Sequence, residues 1–113
     1  MADTLENRII TENDGNEVAM TTAGAWDTTI LSFTICNNSD GNSSDTLIDI
    51  YVKDYNGGSP VTYYLYKNLL LPAASTFEHT AKVVMDDNDA LYFDAVSTSS
   101  QIEAICSYLK QTA

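Results

Sequence analysis

Basic side chains are scarce in this sequence. Five Lys and Arg stand against sixteen Asp and Glu, for a formal net charge of −11 at pH 7. A nucleic-acid surface neutralises phosphates with clustered cations, whereas Arg8, Lys53, Lys67, Lys82 and Lys110 are scattered along the chain. Nucleic acid and anionic membrane are therefore not expected partners. Histidine is scarcer still, with His79 alone. A zinc site draws on three or four closely spaced nitrogen and sulfur ligands. One His and the two distant cysteines, Cys36 and Cys106, do not supply them. There is no nucleophile-elbow motif for His79 to serve as a base. Nor does any apolar run approach the roughly 18 residues that suggest a membrane-spanning helix.

Met1–Arg8 has neither the basic start nor the apolar core of a secretory signal. The chain is expected to be made and kept in a cytoplasm, where thiols stay reduced. Cys36 and Cys106 each lie in an apolar run, so the expectation is two buried free thiols rather than a bridge. Asp86, Asp87 and Asp89 form an acidic turn. Calcium takes six to eight oxygens, and a calcium loop of the EF-hand type closes on a bidentate Glu that this turn lacks. It reads as a solvated turn. No cofactor, metal or catalytic residue is expected anywhere in the chain.

What the sequence does contain is a series of apolar runs bounded by turns. At 113 residues it is long enough for one domain with its own core. Val61–Leu71 is rich in the aromatic and branched residues that suit a half-buried pleated surface, and Pro72 stops it, having no N–H to donate. Thr28–Cys36 places Leu31, Phe33 and Ile35 on one face. Thr46–Lys53 places Ile48, Ile50 and Val52 inward and Asp49, Tyr51 and Lys53 outward. Ala90–Val96 alternates around Leu91 and Phe93. Turn residues separate these runs at Glu12–Asn16, Asn37–Ser44 (with an Asp40-Gly41 pair), Asp54–Pro60, Asp86–Asp89 and Ser97–Ser100. Gln101–Leu109 fits both a strand and a helical face through Ile102, Ile105 and Leu109. Its all-strand context makes it a closing strand. The expected fold is all-β, a single antiparallel β-sandwich of jelly-roll or Ig-like type with about seven or eight short strands. Its expected core is Leu31, Phe33, Ile35, Ile48, Ile50, Val52, Leu91 and Phe93, with Trp26 as a lid at one end.

Residues 1–16 stand apart in composition, and residues 17–113 make up the sandwich. Arg8, Ile9 and Ile10 form the one apolar knot in a polar, turn-forming stretch that does not bury enough to order itself. The segment therefore reads as a flexible N-terminal arm, with Arg8, Ile9 and Ile10 as the candidate partner-binding residues. The competing reading is that this knot is the first strand of the sandwich.

The stretches Phe33–Ser39, Ile48–Val52, Tyr64–Thr76, Ser97–Ser100 and Ile105–Leu109 resemble small β-sandwich structural proteins of tailed bacteriophages, notably those of phages of cyanobacteria and marine bacteria. The resemblance implies a non-enzymatic virion protein, first of all a capsid decoration (cement) protein binding the assembled head, and alternatively a neck or tail component. Its partners would be the major capsid protein or other virion proteins. Its location would be the virion, after synthesis in the host cytoplasm, and its own assembly a homo-oligomer, with a trimer the first choice. A reading of another class, a carbohydrate-binding or adhesive module, rests on Tyr63, Tyr64 and Tyr66 as a stacking surface.

Overall fold

Thr28–Cys36, the strongest alternating run, lies within a 12-residue strand at the middle of the molecule. A computed structural model describes residues 2–12, 16–39, 45–96 and 101–112. In chain order the strands are β1 (Ala2–Glu12), β2 (Val18–Ala19), β3 (Trp26–Asn37), β4 (Thr46–Asp54), β5 (Val61–Leu71), β6 (Ser75–His79), β7 (Val83–Met85), β8 (Asp89–Ala95) and β9 (Ile102–Thr112). No helix occurs among the described residues. The expected turns at 13–15, 40–44 and 97–100 lie outside them.

The strands form two antiparallel sheets. One runs β1-β9-β3-β6, with β7 also on β3, and the other runs β2-β8-β4-β5. β6 and β7 pair with successive parts of the same β3 strand, so together they act as one interrupted strand. Counted that way, the first strand pairs with the last, the second with the next to last, and so inward to the β4–β5 hairpin. Successive pairs alternate between the sheets. One long hairpin rolled over on itself gives this order, which is the jelly roll. Of the two expected sandwich types, the strand order selects this one.

The core lies between the sheets. Phe33, Ile35, Ile48, Ile50, Leu91 and Phe93 are fully or almost fully buried, as the alternation predicts, and Val52 packs against them partly buried. Each such side chain contributes about 1.5–3 kcal/mol through apolar area removed from water. Leu31 departs from the expectation. The register of β3 on β9 shifts between Ile30 and Ser32. This bulge turns Ile30 into the core and leaves Leu31 half-exposed. An inserted residue reverses the facing of everything on one side of it.

Two other expectations change. Trp26 does not close the core. It is half-buried at the start of β3, its ring packs directly on Gly24, and Lys110 Nζ sits 3.7 Å from the ring centroid. A Cβ at Gly24 would stand 2.1 Å from the indole, so a larger residue there would displace the Trp26 ring. Met20, just past β2, is fully buried in the core instead. The N-terminal segment is not an arm over its described part. Ala2–Glu12 pairs residue for residue with Ile102–Thr112 as the edge of the five-stranded sheet. Its polar composition does not prevent this, because a strand orders through its neighbour's backbone rather than through its own apolar content.

β9 resolves the ambiguity between period two and 3.6. Ile102, Ala104, Cys106 and Tyr108 are buried, while Glu103 and Ile105 face away. β5 is more irregular. Its register on β4 shifts at two places, between Ile48 and Ile50 and between Ile50 and Tyr51. Asn68 takes a left-handed φ of 56° in this region. The Asp49 carboxylate holds the distortion, accepting from the Asn68 N–H at 2.8 Å and from Lys67 Nζ at 3.4 Å.

Candidate functional site

The outer face of the five-stranded sheet is nearly free of charge at its centre. Register places the side chains in rows across the strands. One row runs Leu5, Leu109, Thr29, Val84. The next runs Asn7, Ser107, Ser32, and the one after it Ile9, Ile105, Thr34. Leu5 is 71% exposed, Ile9 72%, Val84 75% and Ile105 47%. Charge returns only around the margin, with Asp3 and Asp27 at one end, Glu103 at the other and Glu78 beyond Thr34. An open depression of about 540 Å³ lies among Leu5, Glu6, Asn7, Leu31, Ser32 and Ser107, with Glu6 at the β1 edge its one charged residue. The half-exposed Leu31 at the β3 bulge forms part of its wall. A protein of net charge −11 thus carries one face cleared of charge and studded with aliphatic residues. Exposed apolar groups gathered on one face make it the candidate interaction surface of the described residues.

The candidate residues Arg8, Ile9 and Ile10 are separated by strand alternation. Ile9 belongs to the apolar face, directly opposite Ile105. Ile10 turns inward, 8% exposed, and joins the core. Arg8 is exposed on the opposite side of β1 from Ile9, in register with Cys106. The structure therefore brings only Ile9 to the face. The sequence does not mark Leu5, Val84, Ile105 and Leu109 as surface residues, because it does not show which side of each strand lies against the second sheet.

The outer face of the four-stranded sheet has the opposite character. Tyr92, Tyr51 and Tyr64 stand side by side on β8, β4 and β5. Tyr51 and Tyr92 are parallel at 6.0 Å, and Tyr51 meets Tyr64 edge-on at 5.5 Å. Lys53 lies 4.9 Å from the Tyr92 ring centroid and Lys67 4.3 Å from that of Tyr64. Glu17 accepts from the Tyr51 hydroxyl and pairs with Lys53. Burial, then the Glu17 bond, raises the Tyr51 phenol far above its ordinary value. Burial and the Tyr55 hydroxyl push Tyr92 up to about 12. These rings cover one another and are capped by lysines. The expected stacking trio does not share a surface. Tyr64 is in this ladder, and Tyr63 is exposed at a position opposite Val52. Tyr66 turns inward, sharing a 2.8 Å hydrogen bond with His79 Nδ1 and packing edge-on to Phe77.

On the same face Asp49 and Asp94 lie directly opposite each other, a like-charge cross-strand pair. Burial raises the Asp94 carboxyl, and Asp49 and Glu17 raise it further. Asp89 is also raised, by burial and by Asp54 and Asp86, against a backbone hydrogen bond from Asp86. Both groups therefore bind a proton more tightly folded than unfolded, where the ordinary value is 3.8. Stability from this source increases as pH falls from neutrality through the folded values, and no further gain comes below 3.8. Glu17 works the other way. Burial raises it, but the bonds to Lys53 and Tyr51 outweigh this and lower it, so its contribution is lost only as pH falls below 4.5. The melting temperature is accordingly expected to rise between pH 7.5 and about 5. Asp94→Asn should add about 0.5–1 kcal/mol at neutral pH, or about 2–5 °C, and flatten that rise. Thermal melts of both proteins over this range check it, and a lower melting temperature for the variant would contradict the account.

The groups that chemistry could recruit are dispersed. His79 stacks on Phe33 at 4.7 Å and is held by Tyr66. Cys106 is buried, its thiol pushed up to about 12 by desolvation, and Cys36 is half-buried on the other face of the same sheet. Both are free. In the acidic turn the Asp86 N–H donates to Asp89 Oδ2 at 3.1 Å, and Asn56 Nδ2 donates to the Asp87 carbonyl at 2.9 Å. The turn is thus stitched to the β4–β5 connection. No group of three or more His, Cys, Asp or Glu with metal-binding geometry occurs among the described residues.

The strand order defines a jelly-roll β-sandwich, and one of its outer faces is free of charge along its central rows. Neither a protein-family model nor a curated protein matches the chain.

Proposed function

We propose that this protein is a non-enzymatic structural component of a tailed-phage virion, a decoration protein that binds the assembled head through the outer face of its five-stranded sheet. The single observation that carries this reading is the uncharged centre of that face, a polar row of Asn7, Ser107 and Ser32 flanked by rows bearing Leu5, Leu109 and Val84 and Ile9 and Ile105, on an otherwise strongly acidic chain. Acidic surroundings favour solubility of the free protein, while these rows supply apolar area to a partner. Virion use fits the fold, since jelly rolls serve as capsid domains as well as in lectins and cupins. The fold alone does not choose among those roles. A cupin places its ligands between the sheets, and here that space holds Phe33, Phe93, Ile35 and Ile50. A lectin platform needs several free ring faces side by side, whereas Tyr51, Tyr64 and Tyr92 engage their neighbours and Tyr66 turns inward, which leaves Tyr63 as the one member of the expected trio exposed outside the ladder. The partner is then the major capsid protein or a neighbouring virion protein, and the protein's location is the virion.

The test is co-sedimentation of purified protein with heads, and separately with tails, of the phage that encodes it. Val84→Glu and Ile105→Glu each place a charge where the partner would remove it from water. Each should weaken binding at least about tenfold. Both positions are solvent-facing, so the melting temperature should move by no more than about 2 °C. Full binding by both variants removes this face from the interaction. Binding to tails and not to heads would retain the virion role and move its position.

A further inference from the structure

β1 forms one edge of the five-stranded sheet, and among the described residues no strand lies on its far side. An 11-residue open edge presents a row of unpaired backbone groups, a template for another strand. We propose that this edge pairs with the same edge of a second copy, antiparallel, about a two-fold axis through Asn7, so that two five-stranded sheets become one continuous sheet.

The strand is self-complementary about that residue. In this register Leu5 lies opposite the partner's Ile9, and Ile9 opposite the partner's Leu5. These side chains are on the outer face, next to Ile105. On the other face Glu6 lies opposite the partner's Arg8, and Arg8 opposite the partner's Glu6. Opposite charges and apolar pairs directly across strands are the stabilising combinations. Moving the axis to Glu6 sets Glu6 against Glu6, and moving it to Arg8 sets Arg8 against Arg8. A one-residue slip turns the partner's apolar side to the wrong face. Of these registers, the one about Asn7 satisfies both faces at once and forms two opposite-charge pairs. Arg8 is the chain's one arginine, and among the described residues it makes no ion pair. Glu6 is already positioned, its Oε1 accepting from the Tyr108 hydroxyl at 3.4 Å. Two acidic chains repel, and Arg8 places the compensating charge at the contact.

An edge that pairs with itself is isologous and closes at two copies. The assembly is then a dimer in place of the trimer expected from the resemblance. It forms in the isolated protein, whether or not a capsid is the partner of the sheet face.

Sedimentation equilibrium of the full chain, from about 1 μM to 1 mM, reads the assembly. A concentration-dependent monomer–dimer equilibrium is expected. Arg8→Glu and Glu6→Arg should each raise the dimer dissociation constant at least about tenfold, because each turns both attractive pairs into like-charge pairs. An equimolar mixture of the two variants should recover a dimer of wild-type affinity, since attraction is restored across the interface. The mixture also controls for folding, because a misfolded variant cannot recover. A wild-type protein that stays monomeric, a trimer, a dimer indifferent to either substitution, or a mixture that fails to recover each overturns the proposal.

Discussion

Deleting residues 2–12 is expected to leave a chain that no longer folds cooperatively. On composition alone the same deletion looks harmless, because the segment is mostly polar, with Leu5, Ile9 and Ile10 its large apolar residues. In the structure it removes a full-length strand paired with β9 at every residue from Ala2 to Glu12. Ile10 leaves the core, a loss of about 1.5–3 kcal/mol by itself. The buried Glu12 leaves with it. Ile102, Ala104, Cys106 and Tyr108, all buried on β9, lose the neighbouring strand beside them. β9 then becomes an edge, with 11 residues of newly unpaired backbone in the strand that joins β1 to β3. The combined loss is comparable with the whole stability of a typical domain, about 5–15 kcal/mol. Circular dichroism melting and solubility after expression decide the matter. A truncated protein that melts cooperatively within about 5 °C of the full chain would show that β1 is dispensable.

Phe33→Ala is expected to be the most damaging single substitution in the core. Phe33 is 1% exposed and lies at the centre of an aromatic group that joins the sheets. Its ring stacks on His79 at 4.7 Å and tilts against Phe77 at 6.4 Å. His79 in turn shares its hydrogen bond with Tyr66 on β5, in the other sheet. Truncation removes the transfer free energy of the ring, leaves a cavity, and takes away the surface on which the imidazole is stacked. The cost is about 3–5 kcal/mol, or a melting temperature lower by at least about 12 °C. Chemical denaturation should show a lower midpoint with an unchanged slope. A loss below about 1 kcal/mol would mean that His79 and Phe77 can collapse into the space, and that the aromatic group is not a fixed joint.

The two predictions draw on different sources. The role of Phe33 follows from alternation in Thr28–Cys36, visible without coordinates. The role of β1 does not. Leu5 and Ile9 alternate with Glu6 and Arg8, yet the apolar pair faces outward and the charged pair lies on the inner side. A rule that sends apolar residues inward reads this strand with the wrong facing. Likewise Leu31 appears as a core residue from its spacing with Phe33 and Ile35, and the bulge beside it gives that place to Ile30.

By itself the sequence determined that the chain is all-β and where most strands lie. Local alternation, branched residues and turn chemistry act within a few residues and are written directly in the order of side chains. It also determined the charge balance and the dispersal of His79, Cys36 and Cys106, which depend on composition. Only the tertiary structure decided that the first strand closes against the last and that Ile9 and Ile105 meet across that pair. It alone decided that Leu5, Leu109, Thr29 and Val84 line up over four strands into one uncharged face. These residues are up to about a hundred positions apart, and their proximity is fixed by backbone pairing between distant segments. That pairing uses N–H and C=O groups that every strand possesses alike, so the side-chain pattern of one segment carries little record of which other segment will lie beside it.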